Sequence, residues 1–92
     1  MSDGTVSRNL EIKNRLGLHA RAAAQLVQVA SQFDAEISIT KDGQLVNGKS
    51  ILGLMMLAAG QGSFIEVSIS GPQADEAMAA LEQLVAQKFY ED

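Results

Sequence analysis

Hydrophobic positions recur at two spacings along this chain, and the switches between them mark its elements. Val6, Arg8, Leu10 and Ile12 alternate with Ser7, Asn9, Glu11 and Lys13, which predicts a half-buried strand with one imperfect inward position, Arg8. After Gly17 the period lengthens. Ala22, Leu26, Val29 and Phe33 form one helical seam with Ala23, Val27 and Ala30 beside it, predicting a helix over about residues 20–32. Arg21, Gln25, Gln28, Ser31 and Gln32 fall on its opposite, solvent-facing side.

Alternation returns from Glu36 to Thr40, with Ile37 and Ile39 inward, and Asp42-Gly43 signals a tight turn into a short strand over Gln44 to Asn47. Ile51 to Leu57 reads as a short helix with Ser50 as its N-cap, and Gly60-Gln61-Gly62 breaks it. In that helix Ile51, Leu54 and Leu57 share the inward face, while Leu52, Met55 and Met56 lie around the rest of the circumference. Phe64 to Ser70 is a strand with Ile65, Val67 and Ile69 on one face and Glu66 and Ser68 on the other. Gly71-Pro72 ends it. Ala74, Met78, Leu81 and Val85 then form the seam of a last helix, with Asp75 and Glu76 in its first turn and Lys88 in its last.

The order β-α-β-β-α-β-α, with one apolar face per element, predicts an α+β fold: a four-stranded sheet covered on one side by helices, its polar positions on the open face. Residues 1–5 are expected to be a flexible tail and residues 6–92 a single domain, with no internal repeat or linker.

Composition narrows the function. There is no cysteine, so disulfide and thiolate chemistry drop out. The net charge is −4 and Lys41, Lys49 and Lys88 are scattered, which argues against a nucleic-acid partner. The longest apolar run, Ile51 to Ala59, is interrupted by Gly53 and too short to insert into a bilayer. The polar start, Met1 to Thr5, lacks the features of a signal peptide, so a cytoplasmic location is expected. A monomer is also expected.

The chemistry concentrates at the one histidine. His19 stands where the first strand-like stretch gives way to the helix, among backbone N–H groups without helical partners and at the positive end of the helix dipole. An imidazole is substantially neutral, and so nucleophilic, near physiological pH. Arg21, two residues on, offers a planar fork suited to phosphate oxygens. One histidine with neither cysteine nor clustered carboxylates does not make a metal site, and no cofactor is implied. No nucleophile motif accompanies it for a hydrolase triad.

Gly17-Leu18-His19-Ala20-Arg21 resembles the phosphorylation-site signature of the HPr family, the histidine-containing phosphocarriers of the bacterial phosphoenolpyruvate:sugar phosphotransferase system. Val46 to Met55 independently resembles that family's regulatory serine segment, and the likeness runs from about residue 6 to 90. It implies an open-faced β-sandwich, with three helices on one face of a four-stranded antiparallel sheet. It implies that enzyme I, charged by phosphoenolpyruvate, passes a phosphoryl group to a ring nitrogen of His19, and that the protein hands it to an enzyme IIA. Such a protein is an intermediate of phosphoryl transfer rather than a stand-alone enzyme. By the same resemblance the backbone amides of Ala20 and Arg21, with the Arg21 guanidinium, hold the phosphate. The family most often has proline after the arginine; here Ala22 leaves an extra N–H and slightly more freedom.

Ser50 has two roles to fill. As an N-cap it contributes about 1 kcal/mol. The resemblance adds phosphorylation by HPr kinase/phosphorylase, which would place two negative charges beside a docking surface and repel acidic partners. A short helix that is apolar all round is either packed as a second layer of core or presents a patch to a partner; in a domain this small the patch is the expectation, with Ile51, Leu52 and Met55 as its candidate docking residues. Two rival readings remain at this stage: a nitrogen-related phosphotransferase regulator using the same histidine relay, and a non-catalytic α+β interaction module.

Overall fold

The alternating stretches pair into one antiparallel sheet, as half-buried strands must if each is to shelter one face. In the computed structural model, which describes residues 5–91, the strands are β1 (Val6–Glu11), β2 (Glu36–Lys41), β3 (Gln44–Asn47) and β4 (Phe64–Ser70), in the spatial order β1-β4-β2-β3. Register puts Val6, Ile69 and Ile37 side by side, and Arg8, Val67, Ile39 and Val46 in the next row. Those rows face the helices. The rows between them, Ser7-Ser68-Ser38-Asn47 and Asn9-Glu66-Thr40-Leu45, form the open face. Ser7 and Ser68 join across that face through their hydroxyls at 2.9 Å.

Helices α1 (Ala20–Ala30), α2 (Ile51–Met56) and α3 (Ala74–Ala86) cover the other face. Ile12, Leu26, Ile39, Leu54, Ile65, Ile69 and Leu81 are fully buried between the layers. The arrangement is the α+β open sandwich that the pattern predicts. Arg8, the misfit of its row, sits at the sheet edge and reaches Glu82 of α3 at 3.7 Å, so an exposed ion pair occupies what would otherwise be an apolar inward position.

Four expectations need correction or restriction. Helix α1 stops at Ala30 rather than near residue 32, because the amides of Gln32 and Phe33 bond back three residues, to Val29 and Ala30, and tighten the exit. Ile51 does not face inward; it is 42% exposed. It occupies the first turn of a six-residue helix, where side chains lean toward the N-terminus and overhang the layer below. Lys88 lies beyond α3, not in its last turn, because the helix ends at Ala86 and the chain turns through Lys88–Tyr90 with φ of 57°, 54° and 56°. Of the expected tail 1–5, residues 1–4 lie outside the described residues, and Thr5 is exposed.

Candidate functional site

Helix α1 begins where the sequence places it. His19 is the N-cap residue, with extended backbone angles (φ −79°, ψ −179°), and its carbonyl accepts the Ala23 N–H at 2.8 Å. The amides of Ala20, Arg21 and Ala22 therefore precede the first helical hydrogen bond, with no acidic side chain in the first turn to occupy them. The imidazole makes no capping hydrogen bond, so capping does not consume its nitrogens. It is half-buried, and Arg21 beside it is exposed.

The loop in front of His19 is held from three sides. Leu18 donates its N–H to the Ala59 carbonyl at 2.8 Å, which ties the loop to the segment after α2. The Asn14 side chain, almost wholly buried, donates through Nδ2 to the Gly17 carbonyl at 2.7 Å and closes the turn from within. Gly17 sits at φ +70°, where a Cβ would stand 2.5 Å from the Ala59 oxygen, so only glycine fits between the turn and its neighbour. From outside, the Glu91 carboxylate accepts the Leu16 N–H at 3.1 Å.

His19 opens onto a cavity of about 220 Å³ walled by Arg15, Leu16, Arg21, Gln25, Phe89 and Glu91. Two guanidiniums and free helix amides around one imidazole make a place for an anion. The chain's end forms its floor: Phe89 is buried, held there by the left-handed turn at Lys88–Tyr90.

The structure thus brings His19, Arg21 and Ala22 to one mouth, while Ala20, between the first two in the chain, is exposed and not part of the lining. Ser50 lies apart at the start of α2, where its hydroxyl accepts the Gly53 N–H at 3.0 Å, making it the N-cap the pattern predicts. Leu52 (71% exposed), Met55 (43%) and Met56 (62%) ring α2, whereas Leu54 and Leu57 are buried. The methionines and Leu52 are surface, not a second layer of core. Among the described residues no group of three or more His, Cys, Asp or Glu side chains converges as a metal site, and no helix is long and apolar enough to cross a membrane.

Sequence reasoning missed Asn14, Phe89 and Glu91, and it put Gln25 on the solvent side of α1, whereas Gln25 is half-buried in the cavity wall. An asparagine three residues before a glycine is a turn signal that would have flagged Asn14. Nothing local marks Glu91, whose partner Leu16 is 75 residues away.

This geometry has clear counterparts. A family profile described as the PTS HPr component phosphorylation site matches residues 6–87. The chain belongs to the HPr family. It is 50% identical over 86 residues to the phosphocarrier protein HPr of Neisseria meningitidis serogroup A, covering 94% of this chain and 97% of the relative. The crystal structure of an HPr from Thermoanaerobacter tengcongensis superposes with a TM-score of 0.91 at 45% identity, covering 95% of this chain and 98% of that one. The HPr-like protein Crh of Halalkalibacterium halodurans is 51% identical over 76 residues, or 83% of this chain and 90% of the relative. The four-stranded antiparallel sheet with three helices on one side is thus the HPr fold, and the chain is a phosphocarrier-family protein of the phosphotransferase system.

Proposed function

We propose that this HPr-family chain carries a phosphoryl group on His19 between enzyme I and an enzyme IIA. The observation that supports this most is the placement of an imidazole free of capping duty, at the start of α1, at the mouth of a cavity also lined by Arg21 and Ala22. A neutral ring nitrogen of His19 attacks the phosphorus presented by phospho-enzyme I. The new N–P bond forms as the bond from phosphorus to enzyme I breaks, and the bonding pair leaves with enzyme I. The other ring nitrogen keeps its proton, so the neutral imidazole is restored when the N–P bond breaks again. The same steps run in reverse order of partners when enzyme IIA receives the group.

Charge placement fits each step. The amides of Ala20 and Arg21 and the Arg21 guanidinium meet the oxygens of the incoming group, where the helix dipole also favours negative charge. The exposed Ile51, Leu52 and Met55 supply an apolar docking surface on α2, which packs against α1. Phosphorylation of Ser50 by HPr kinase/phosphorylase would replace a capping hydroxyl with a dianion beside that surface and weaken docking of acidic partners. Location in the cytoplasm and action as a monomer belong to the same reading.

The test is a relay. Wild type and His19→Ala are placed between enzyme I, charged with labelled phosphoenolpyruvate, and enzyme IIA. Wild type is expected to pass label onward and His19→Ala to pass none; onward transfer by His19→Ala overturns the reading.

A further inference from the structure

Among the described residues, two side-chain polar atoms are enclosed without a hydrogen-bond partner: Asn14 Oδ1 and Gln25 Oε1. An acceptor sealed from water and left unbonded is unfavourable, and native structures seldom keep one without a use. Gln25 is one of the residues lining the cavity that receives His19 and Arg21, although its Oε1 itself is turned away from water. Gln25 follows Arg21 by four residues on α1, so the two side chains are neighbours on consecutive turns of one helix face. The Arg21 side chain is exposed and has no bonded partner among the described residues.

We infer that Gln25 is a positioning residue: its amide oxygen accepts a hydrogen bond from the Arg21 guanidinium and holds that group over the cavity when a phosphoryl group is present. This rests on the reading of Arg21 as the phosphate clamp. A guanidinium carries five donors in one plane, and a phosphate engages one edge of it, leaving the other edge free to take an acceptor that fixes its direction. Gln25 is the acceptor one turn away. The last torsion of a glutamine side chain is broad and roughly two-fold, so a turn about it exchanges Oε1 with Nε2 and brings the oxygen out of its sealed position. The other acceptor in the wall, the Glu91 carboxylate, turns both oxygens toward the Leu16 N–H, at 3.1 and 3.4 Å. A neutral amide also orients Arg21 without cancelling the charge that the phosphate needs, which a carboxylate at that place would do.

A double-mutant cycle on the rate of phosphoryl transfer from phospho-enzyme I tests this, using Gln25→Met, Arg21→Ala and the pair in the full chain. Gln25→Met keeps length and bulk but has no amide oxygen. It is expected to slow transfer about fivefold, in proportion to one hydrogen bond, while the melting temperature stays level or rises because a sealed, unbonded acceptor has gone. Arg21→Ala is expected to slow transfer more, and adding Gln25→Met to it is expected to change nothing further. If the two effects multiply, or if Gln25→Met transfers at the wild-type rate while Arg21→Ala is slow, the inference fails and the clamp reading stands. If Arg21→Ala transfers at the wild-type rate, the clamp reading fails and takes the inference with it.

Discussion

The carboxylate of Glu91 accepts the backbone N–H of Leu16 at 3.1 Å, so the chain's last turn is fastened to the loop that presents His19. Three consecutive left-handed residues, Lys88, Phe89 and Tyr90, lead to that contact. Such backbone costs about 1–2 kcal/mol per residue outside glycine. Burial of Phe89 and the Glu91 contact oppose that cost. Glu91→Ala is therefore expected to free the turn: exchange of the Leu16 amide with solvent should quicken, while global stability falls by about 1 kcal/mol or less, as suits one exposed hydrogen bond. Unchanged exchange at Leu16 in the variant contradicts this role.

Asn14 makes a sharper prediction because its environment admits a donor and no charge. Asn14→Ala leaves the Gly17 carbonyl unbonded inside the protein, a loss of about 1–3 kcal/mol. Asn14→Asp is expected to be worse at neutral pH, since an ionised carboxylate would face that carbonyl. Burial raises the folded-state pKa of such an aspartate above its unfolded value. The folded state then binds the proton more tightly, so the stability of Asn14→Asp should recover as pH falls through the folded pKa. Denaturant melts across a pH series check this; a variant that is more stable at neutral than at mildly acid pH, relative to wild type, contradicts it.

Much of this fold could be read from spacing alone, because each strand and helix here buries one face and the alternation shows which. Ile37, Ile39, Ile65, Val67 and Ile69 all fall where a period of two puts them. The candidate site was legible as far as it is local: His19, Ala20 and Arg21 are consecutive with the helix start. Its walls were not. Phe89 and Glu91 arrive from the other end of the chain, and Gln25 shares the wall with them, a neighbourhood its own helical pattern does not show. Ile51 sits on the inward face by spacing, yet it opens a helix of six residues, where its side chain leans past the layer beneath.

Ser50 gives a test that separates its capping role from the proposed regulatory one. Ser50→Ala removes the acceptor for the Gly53 N–H and is expected to cost about 1 kcal/mol. Ser50→Asp keeps an acceptor at the cap and should retain wild-type stability while slowing transfer from phospho-enzyme I. Melting curves and transfer rates of the two variants provide the check; a Ser50→Asp protein as unstable as Ser50→Ala contradicts the capping account.

On α2, exposure and burial predict opposite phenotypes one residue apart in the helix. Leu52→Glu and Met55→Glu are expected to weaken enzyme I binding with melting temperatures close to wild type, since both side chains are exposed. Leu54→Ala is expected to lose about 2–5 kcal/mol of stability, since Leu54 is fully buried. Titration against enzyme I together with thermal melts distinguishes them. Unfolding of Leu52→Glu contradicts the surface assignment.

The central claim is that His19 is the atom-bearing site of transfer, and intact mass after incubation with phosphoenolpyruvate and enzyme I tests it most directly. One phosphoryl group, labile in acid, stable in base and absent from His19→Ala, is the expected result. A wild-type protein that gains no group beside an active control carrier, or a His19→Ala protein that gains the same acid-labile group, contradicts the account.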